Sequence, residues 1–331
     1  MKQKIIKLAM KLGGLQLAKF ITRKKPRIFM YHSFSQNEID GAVSTETFEW
    51  QITEIKKNFN PVTLLELSTL ISSNKPVPNN TIVITIDDGY KNFYDIAYPI
   101  LKKHNVPATF FVTTGFINGD LWLWPDQLKW LLKQNTSALK KVTLNNQVLS
   151  LTGTFHQNWQ AINDFCLSVT DELKHTYIQS LADQLSIVLP TKAPKQYEPC
   201  TWQQLKEMQE WGIEIGGHTV THPSLGQVNN QQAESEIMGC LQEINKQLGK
   251  RKRTFCYPNG APNDYNEKIK NTVKISGFVS AVTAFNDSYN INLPFAWRRF
   301  DGGNNTLGFK KSLYGIEYIG NEVRKTKRCD Y

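Results

Sequence analysis

The stretch TIVITIDDGYKNFYDIAYPILKKHNVPATFFVT, residues 81–113, decides how the chain is read. Residues 81–86 are a short apolar run rich in β-branched side chains, which reads as a buried strand. Residues 92–104 carry the period of a helix, and residues 108–113 form a second apolar run. Strand, helix and strand within roughly 30 residues make a βαβ unit with parallel pairing. The rhythm continues on both sides. Further strands are expected at 27–31, 213–217, 254–257 and 278–282, and helices at 47–57, 125–133, 202–211, 231–248 and 263–275. Such alternation gives an α/β fold, either a doubly wound sheet or a barrel, with active residues at the carboxyl ends of the strands.

The segment 118–199 breaks the rhythm. It holds a hairpin signal (141–144, turn Asn145-Asn146, 147–151), a helix near 171–186 and four tryptophans, Trp122, Trp124, Trp130 and Trp159. It reads as an insertion capping one end of the main domain. Its tryptophans suit core packing more often than sugar stacking.

Composition narrows the class. With 331 residues, 40% hydrophobic and 21% charged, the chain has enough apolar material for a sizeable core. The net charge of +10 suggests a polyanionic partner, but its distribution says otherwise. Residues 1–27 hold nine basic residues and no acid, residues 322–331 hold four basic and two acidic, and the body between is close to neutral. A nucleic-acid groove across the fold therefore loses its support. Residues 2–22 read as a helix with Lys4, Lys7 and Lys11 on one stripe and a wide apolar circumference, weakened by Gly13 and Gly14. Such a helix either packs on the body or lies on an anionic membrane surface. No run reaches the 18 or so apolar residues of a spanning helix, and lysines interrupt any signal-peptide core. The five cysteines are widely spaced with no CxxC pair, which fits a reducing compartment. The expected location is cytoplasmic, peripheral on the inner membrane.

Two clusters carry chemistry. Asp87 and Asp88 end the strand at 81–86 and precede Gly89, and adjacent carboxylates there call for a cation. His218 and His222 follow the run ending Gly216-Gly217, at the i, i+4 spacing that lets two imidazoles reach one ion. One aspartate added to the two histidines leaves coordination positions open for water and substrate.

These residues resemble a family. The segment 85–117, the motif His218-Thr-Val-Thr-His222 within WGIEIGGHTVTHPSL (211–225), Phe255-Cys256-Tyr257-Pro258-Asn259-Gly260 and Arg298-Arg299-Phe300-Asp301 look like the successive motifs of the polysaccharide deacetylases. These are also called the NodB-homology family or carbohydrate esterase family 4. Phe29-Met30-Tyr31-His32 is similar to the first strand of many members. The resemblance implies a distorted (β/α) barrel over residues 28–331, preceded by the basic helix of residues 1–27 and interrupted by the insertion. It implies a divalent metal, zinc first, held by Asp88, His218 and His222. Asp87 would then be the general base for water attacking an acetamide, with Tyr257 and Asn259 in the loop that binds substrate and oxyanion.

Two departures matter. Where many members carry an arginine that orients the base, this chain has Cys256, so Arg299 is the expected substitute and Arg298 the alternative. No histidine follows His222, so the late acid histidine of many members is missing. The chain is similar in this respect to the biofilm poly-N-acetylglucosamine deacetylases, which place an acid histidine early, and that resemblance makes His32, at the end of the first strand, the expected acid. The implied activity is removal of N-acetyl groups from amino sugars of a bacterial surface polysaccharide or its lipid-linked precursor. The alternatives are a deformylase on a lipid-linked amino sugar and a non-catalytic carbohydrate-binding relative. The expected partners are an N-acetylated glycan or glycolipid and an anionic membrane, with no nucleic acid.

Overall fold

The computed structural model describes residues 13–37, 41–135, 139–285 and 291–324. Eight parallel strands form one sheet: β1 (Arg27–Tyr31), β2 (Asn60–Val62), β3 (Thr81–Ile86), β4 (Thr109–Val112), β5 (Glu214–Gly217), β6 (Phe255–Cys256), β7 (Ala281–Val282) and β8 (Phe300–Asp301). Their order is β7-β6-β5-β4-β3-β1-β8, and β2 pairs with the first half of β3. Every residue of β3 is buried, as expected of a strand covered on both faces.

Strand alternation divides the core in two. Ile82, Ile84 and Ile86 join Phe29, Phe110 and Ile215 in the large cluster under the surrounding helices. Val83 joins Ile28, Val62, Phe111, Cys256, Val282 and Trp297 in a separate cluster that fills the inside of the curled sheet. The same phase carries Thr85 and then Asp87 towards that interior. Gly216 leaves room for it, since a Cβ there would stand 2.6 Å from the Phe111 ring.

The last strand draws the sheet into a barrel. Trp297 pairs with Val282 of β7, with Thr283 N–H donating to Trp297 C=O at 2.9 Å. Three residues later Phe300 and Asp301 pair with Phe29 and Met30 of β1. The segment 297–301 thus spans both edges, and Arg299 stands at its centre. No strand was expected here from the sequence, because the extended shape comes from partners on either side and not from an apolar run.

The expected helices form with small boundary changes. The helix Trp202–Trp211 starts at a Thr201 and Gln204 capping box and stops at Gly212. The helix expected at 263–275 runs from Glu267 to Ser276, because the Asn266 side chain caps it by accepting from Ile269 N–H. The stretch 92–104 is a π-helical turn, Phe93–Ala97, followed by the α-helix Tyr98–His104, with Pro99 in its first turn. The strand expected at 278–282 is confined to β7. Helices Leu64–Ser72, Phe155–Leu167, Thr306–Leu313 and Ile316–Arg324 were not expected. Of the N-terminal helix only Leu15–Ile21 falls within the described residues, and Lys4, Lys7 and Lys11 lie outside them.

The segment between β4 and β5 carries its own apolar cluster, including Trp124, Leu128, Leu131, Ile162, Phe165 and Leu181. Its hairpin pairs Lys141–Leu144 with Gln147–Ser150. Trp122 and Trp124 are buried, so packing accounts for both. The segment is strapped to the turn after β3, where Cys200 N–H donates to Gly89 C=O at 2.9 Å and Lys91 N–H to Glu198 C=O at 2.9 Å. The Tyr90 hydroxyl also donates to the buried carboxylate of Asp126.

Candidate active site

Each sequence-derived residue except Arg299 sits just past the carboxyl end of a strand. His32 follows β1, Asp87 and Asp88 follow β3, His218 follows β5, and Tyr257 and Asn259 follow β6. They line one cavity of about 530 Å³ together with Arg299. Its outer wall comes from the inserted segment through Leu123, Asp126, Lys129, Trp159 and Tyr197. Of the four tryptophans, Trp159 alone lines this cavity.

Asp88, His218 and His222 converge. Asp88 Oδ1 lies 3.5 Å from His218 Nε2 and 3.4 Å from His222 Nε2. Metal bonds of 2.0–2.1 Å in a tetrahedral site put neighbouring donor atoms about 3.3 Å apart, so these separations fit one zinc-sized ion. His218 Nδ1 lies 2.8 Å from the Cys256 carbonyl oxygen. That contact occupies Nδ1 and leaves Nε2 as the nitrogen that faces Asp88 and would ligate an ion. Burial raises the Asp88 carboxyl, but the two histidines outweigh it and hold the group well below the usual carboxylate range. Asp88 and His222 both have positive φ, +79° and +63°, a strained backbone that aims both side chains at the shared point.

The histidine loop is fastened from outside. Glu236, on the helix Asn230–Leu248, accepts from Val220 N–H and Thr221 N–H at 2.8 Å each and from the Thr221 hydroxyl at 2.7 Å. Sequence reasoning missed this residue. The available signal was an acid at the helical spacing of Ala233 and Cys240, on the buried side of that helix.

Asp87 is 2% exposed and is gripped by Arg299, whose two terminal nitrogens reach Oδ1 and Oδ2 at 2.7 Å each. The guanidinium is itself fixed by Thr283 C=O at 2.6 Å, Thr85 Oγ1 at 3.0 Å and Cys256 Sγ at 3.2 Å. Burial pushes the Asp87 carboxyl up, and Arg299 overcomes this, leaving it below its ordinary value. Arg298 points the other way, to the Tyr265 hydroxyl at 2.7 Å and over the Phe285 ring. Asp87, His218 and Cys256 also lie close enough to share an ion. The guanidinium against two of them opposes a cation there, and burial raises the Cys256 thiol and keeps it protonated. The Asp88 set is therefore the better metal site.

His32 Nε2 stands 3.7 Å from Asp87 Oδ2, with its side chain 46% exposed to the cavity side. Tyr257 contributes its ring only, because its N–H is used by Val282 C=O at 3.2 Å and its hydroxyl by Phe295 C=O at 2.9 Å. Asn259 adopts φ +58° beside it, and its side-chain Nδ2 is buried without a hydrogen-bond partner. His104 and His175 lie beside Glu49 and Asp171, and neither they nor His156 lines the cavity.

The likeness to known proteins follows this geometry. YxkH of Bacillus subtilis is 30% identical over 146 residues, 43% of this chain and 51% of that protein. The poly-β-1,6-N-acetyl-D-glucosamine N-deacetylase of Staphylococcus aureus is 32% identical over 132 residues, 36% of this chain and 46% of that enzyme. The chain thus matches about half the length of these curated relatives. Among solved structures, the Streptococcus pyogenes deacetylase PplD in complex with acetate superposes with a TM-score of 0.57 at 19% identity. That superposition covers 92% of this chain and 98% of PplD. IcaB from Ammonifex degensii gives 0.55 at 16%, covering 89% and 97%. Both share the fold, the distorted (β/α) barrel of the deacetylases. The family model for polysaccharide deacetylases matches residues 74–279, which contain both aspartates and both histidines, and on that match the chain belongs to the polysaccharide deacetylase family.

Proposed function

We propose that the protein hydrolyses the N-acetyl group of an amino sugar within a glycan, giving acetate and a free amine. One observation carries this reading: an Arg299-clamped carboxylate, Asp87, stands directly beside the Asp88, His218 and His222 donor set on the floor of a glycan-sized cavity. The donor set of two imidazoles and one carboxylate suits zinc among the divalent ions. A bound ion there would polarise the acetamide carbonyl and acidify the attacking water.

The chain's own groups do the rest. Asp87 remains charged at neutral pH and accepts the proton of water as its oxygen bonds to the carbonyl carbon. Arg299 fixes the direction of that carboxylate, and its charge makes Asp87 a weak base, which is why the water must be acidified. Asn259 supplies a donor to the oxyanion from its loop. His32 gives a proton to the nitrogen as the C–N bond breaks, so that the amine leaves neutral. The relatives named as poly-β-1,6-N-acetyl-D-glucosamine N-deacetylases support a polymer of N-acetylated hexosamine as substrate, and a lipid-linked precursor of such a polymer is the second candidate. No helix among the described residues is long and apolar enough to cross a membrane. Contact with an anionic membrane is therefore proposed as peripheral, and buried free thiols at Cys166, Cys200, Cys240 and Cys256 support a reducing, cytoplasmic setting.

The test is metal analysis combined with acetate and formate release from a panel of N-acetylated and N-formylated oligosaccharides. Acetate release that chelation abolishes and zinc restores is expected. Binding of the glycans by the metal-loaded protein with neither acid released would refute the reading.

A further inference from the structure

The N-terminal helix Leu15–Ile21 is covered on one side only. Ala18 is buried and Leu15 packs on the main core, whereas Leu17, Phe20 and Ile21 are 62%, 62% and 58% exposed. Their i, i+3, i+4 spacing puts these three on one stripe. Basic residues flank its carboxyl end: the Arg23 guanidinium lies 4.1 Å from the Phe20 ring centroid, and Lys24 and Lys25 follow, the latter 3.6 Å from Glu322. Residues 1–27 contain nine basic residues and no acid. Apolar side chains beside a basic cluster match an anionic lipid surface, which takes up the first and attracts the second.

The position of this stripe is informative. Asn80, the residue before β3, donates its N–H to Arg23 C=O at 2.6 Å, and the Tyr318 hydroxyl donates to Pro26 C=O at 2.8 Å. The helix therefore lies at the amino ends of the strands, whereas Asp87 and Asp88 stand at the other end of β3. Six residues of strand separate the two levels by about 20 Å at 3.3 Å per residue.

We infer that the stripe Leu17, Phe20 and Ile21 seats the protein on an anionic lipid surface with the catalytic mouth turned away from it. The acetamido sugars it processes then lie several units from any lipid anchor, in a grown chain and not in a short lipid-linked precursor. This placement rests on the proposed deacetylase reading for its substrate but not for its lipid contact.

The experiment uses full-length protein and vesicles of phosphatidylcholine with or without phosphatidylglycerol, carrying N-acetylglucosamine oligosaccharides of two or ten units joined to a lipid. The protein should float only with the anionic vesicles. L17S/F20S/I21S should lower the partition coefficient about a hundredfold, because three apolar side chains no longer enter the interface. Bound wild-type protein should release acetate from the long tethers and at least tenfold more slowly from the short ones. Equal flotation of the variant, or equal release from short and long tethers, would overturn the placement. So would gel filtration showing a wild-type dimer that the variant breaks, because the stripe would then face a second copy. Both proteins should release acetate equally from a soluble decasaccharide. Loss of that release with flotation intact would refute the deacetylase reading and the substrate placement with it, whereas lost flotation with release intact refutes the lipid contact alone.

Discussion

Replacing Arg299 by glutamine tests the centre of the site. Arg299 is 1% exposed, and both oxygens of the 2%-exposed Asp87 accept from it at 2.7 Å. Removing one partner of a buried pair strands the other charge, at a cost of about 3–5 kcal/mol of stability. Burial is the strongest influence on Asp87, and without the guanidinium only the weaker pull of His32 and His218 opposes it. The carboxyl that Arg299 holds below its ordinary range would then move above it. In the wild type a depressed carboxyl stabilises the fold at neutral pH, and that contribution is lost only as pH falls through the depressed value. In R299Q the sign reverses, because a raised carboxyl favours the fold at low pH and the benefit fades as pH rises. The stability deficit of R299Q, measured by urea unfolding of both proteins, should therefore be largest near neutrality and shrink towards about pH 4, where a free aspartate titrates. Activity should follow the same group. kcat/KM at neutral pH should fall about 10²–10⁴-fold, the usual contribution of a general base, and recover in part as pH rises. The double variant R299Q/D87N should regain most of the stability and none of the activity. A deficit that does not change with pH, or an R299Q enzyme with full activity at neutral pH, would refute the assignment of Arg299 as the group that keeps Asp87 charged.

Other outcomes follow from the same geometry. Asp88→Ala and His222→Ala should each lose bound metal and acetate release together while keeping the far-ultraviolet circular dichroism of the parent; full metal content by mass spectrometry would contradict the ligand set. His32→Ala should lower kcat about 10²–10⁴-fold with little change in KM, as expected for a lost acid. If turnover persists across the pH range, the leaving amine takes its proton elsewhere. Glu236→Ala removes three hydrogen bonds from the loop between His218 and His222. Losses of this kind commonly cost 10–100-fold in metal affinity. Competition with a chelator measures it, and an unchanged affinity would show that the loop holds its shape unaided.

Local chemistry made much of this legible. Strand β3 ends where its apolar run ends, at Asp87, and the helix Trp202–Trp211 is framed by its own capping box and glycine. The two histidines announce themselves by spacing. What could not be read depends on partners distant in sequence. Arg298 and Arg299 are neighbours in an extended segment, so one must face the interior and the other away. The phase is set by pairing of Trp297 with Val282 and of Phe300 with Phe29, which no local pattern encodes. Cys256 stands where the resemblance expects an arginine, yet its carbonyl orients His218 and its sulfur touches Arg299. The helices Phe155–Leu167 and Thr306–Leu313 escaped notice because their buried faces include polar residues, Asn163 in the first and Ser312 in the second, which break the apolar period.

The closing segment 297–301 has a consequence for the order in which the site assembles. It pairs with β1, nearly the whole barrel away in sequence, and such distant closures are slow to form. Until it docks, both aspartates and both histidines can be in place while Asp87 lacks the counter-charge that keeps it ionised. A nascent or partly assembled chain would hold the donor set without a working base. Hydrolytic competence would then appear in one step with the sealing of the barrel, so the last element to dock also arms the site.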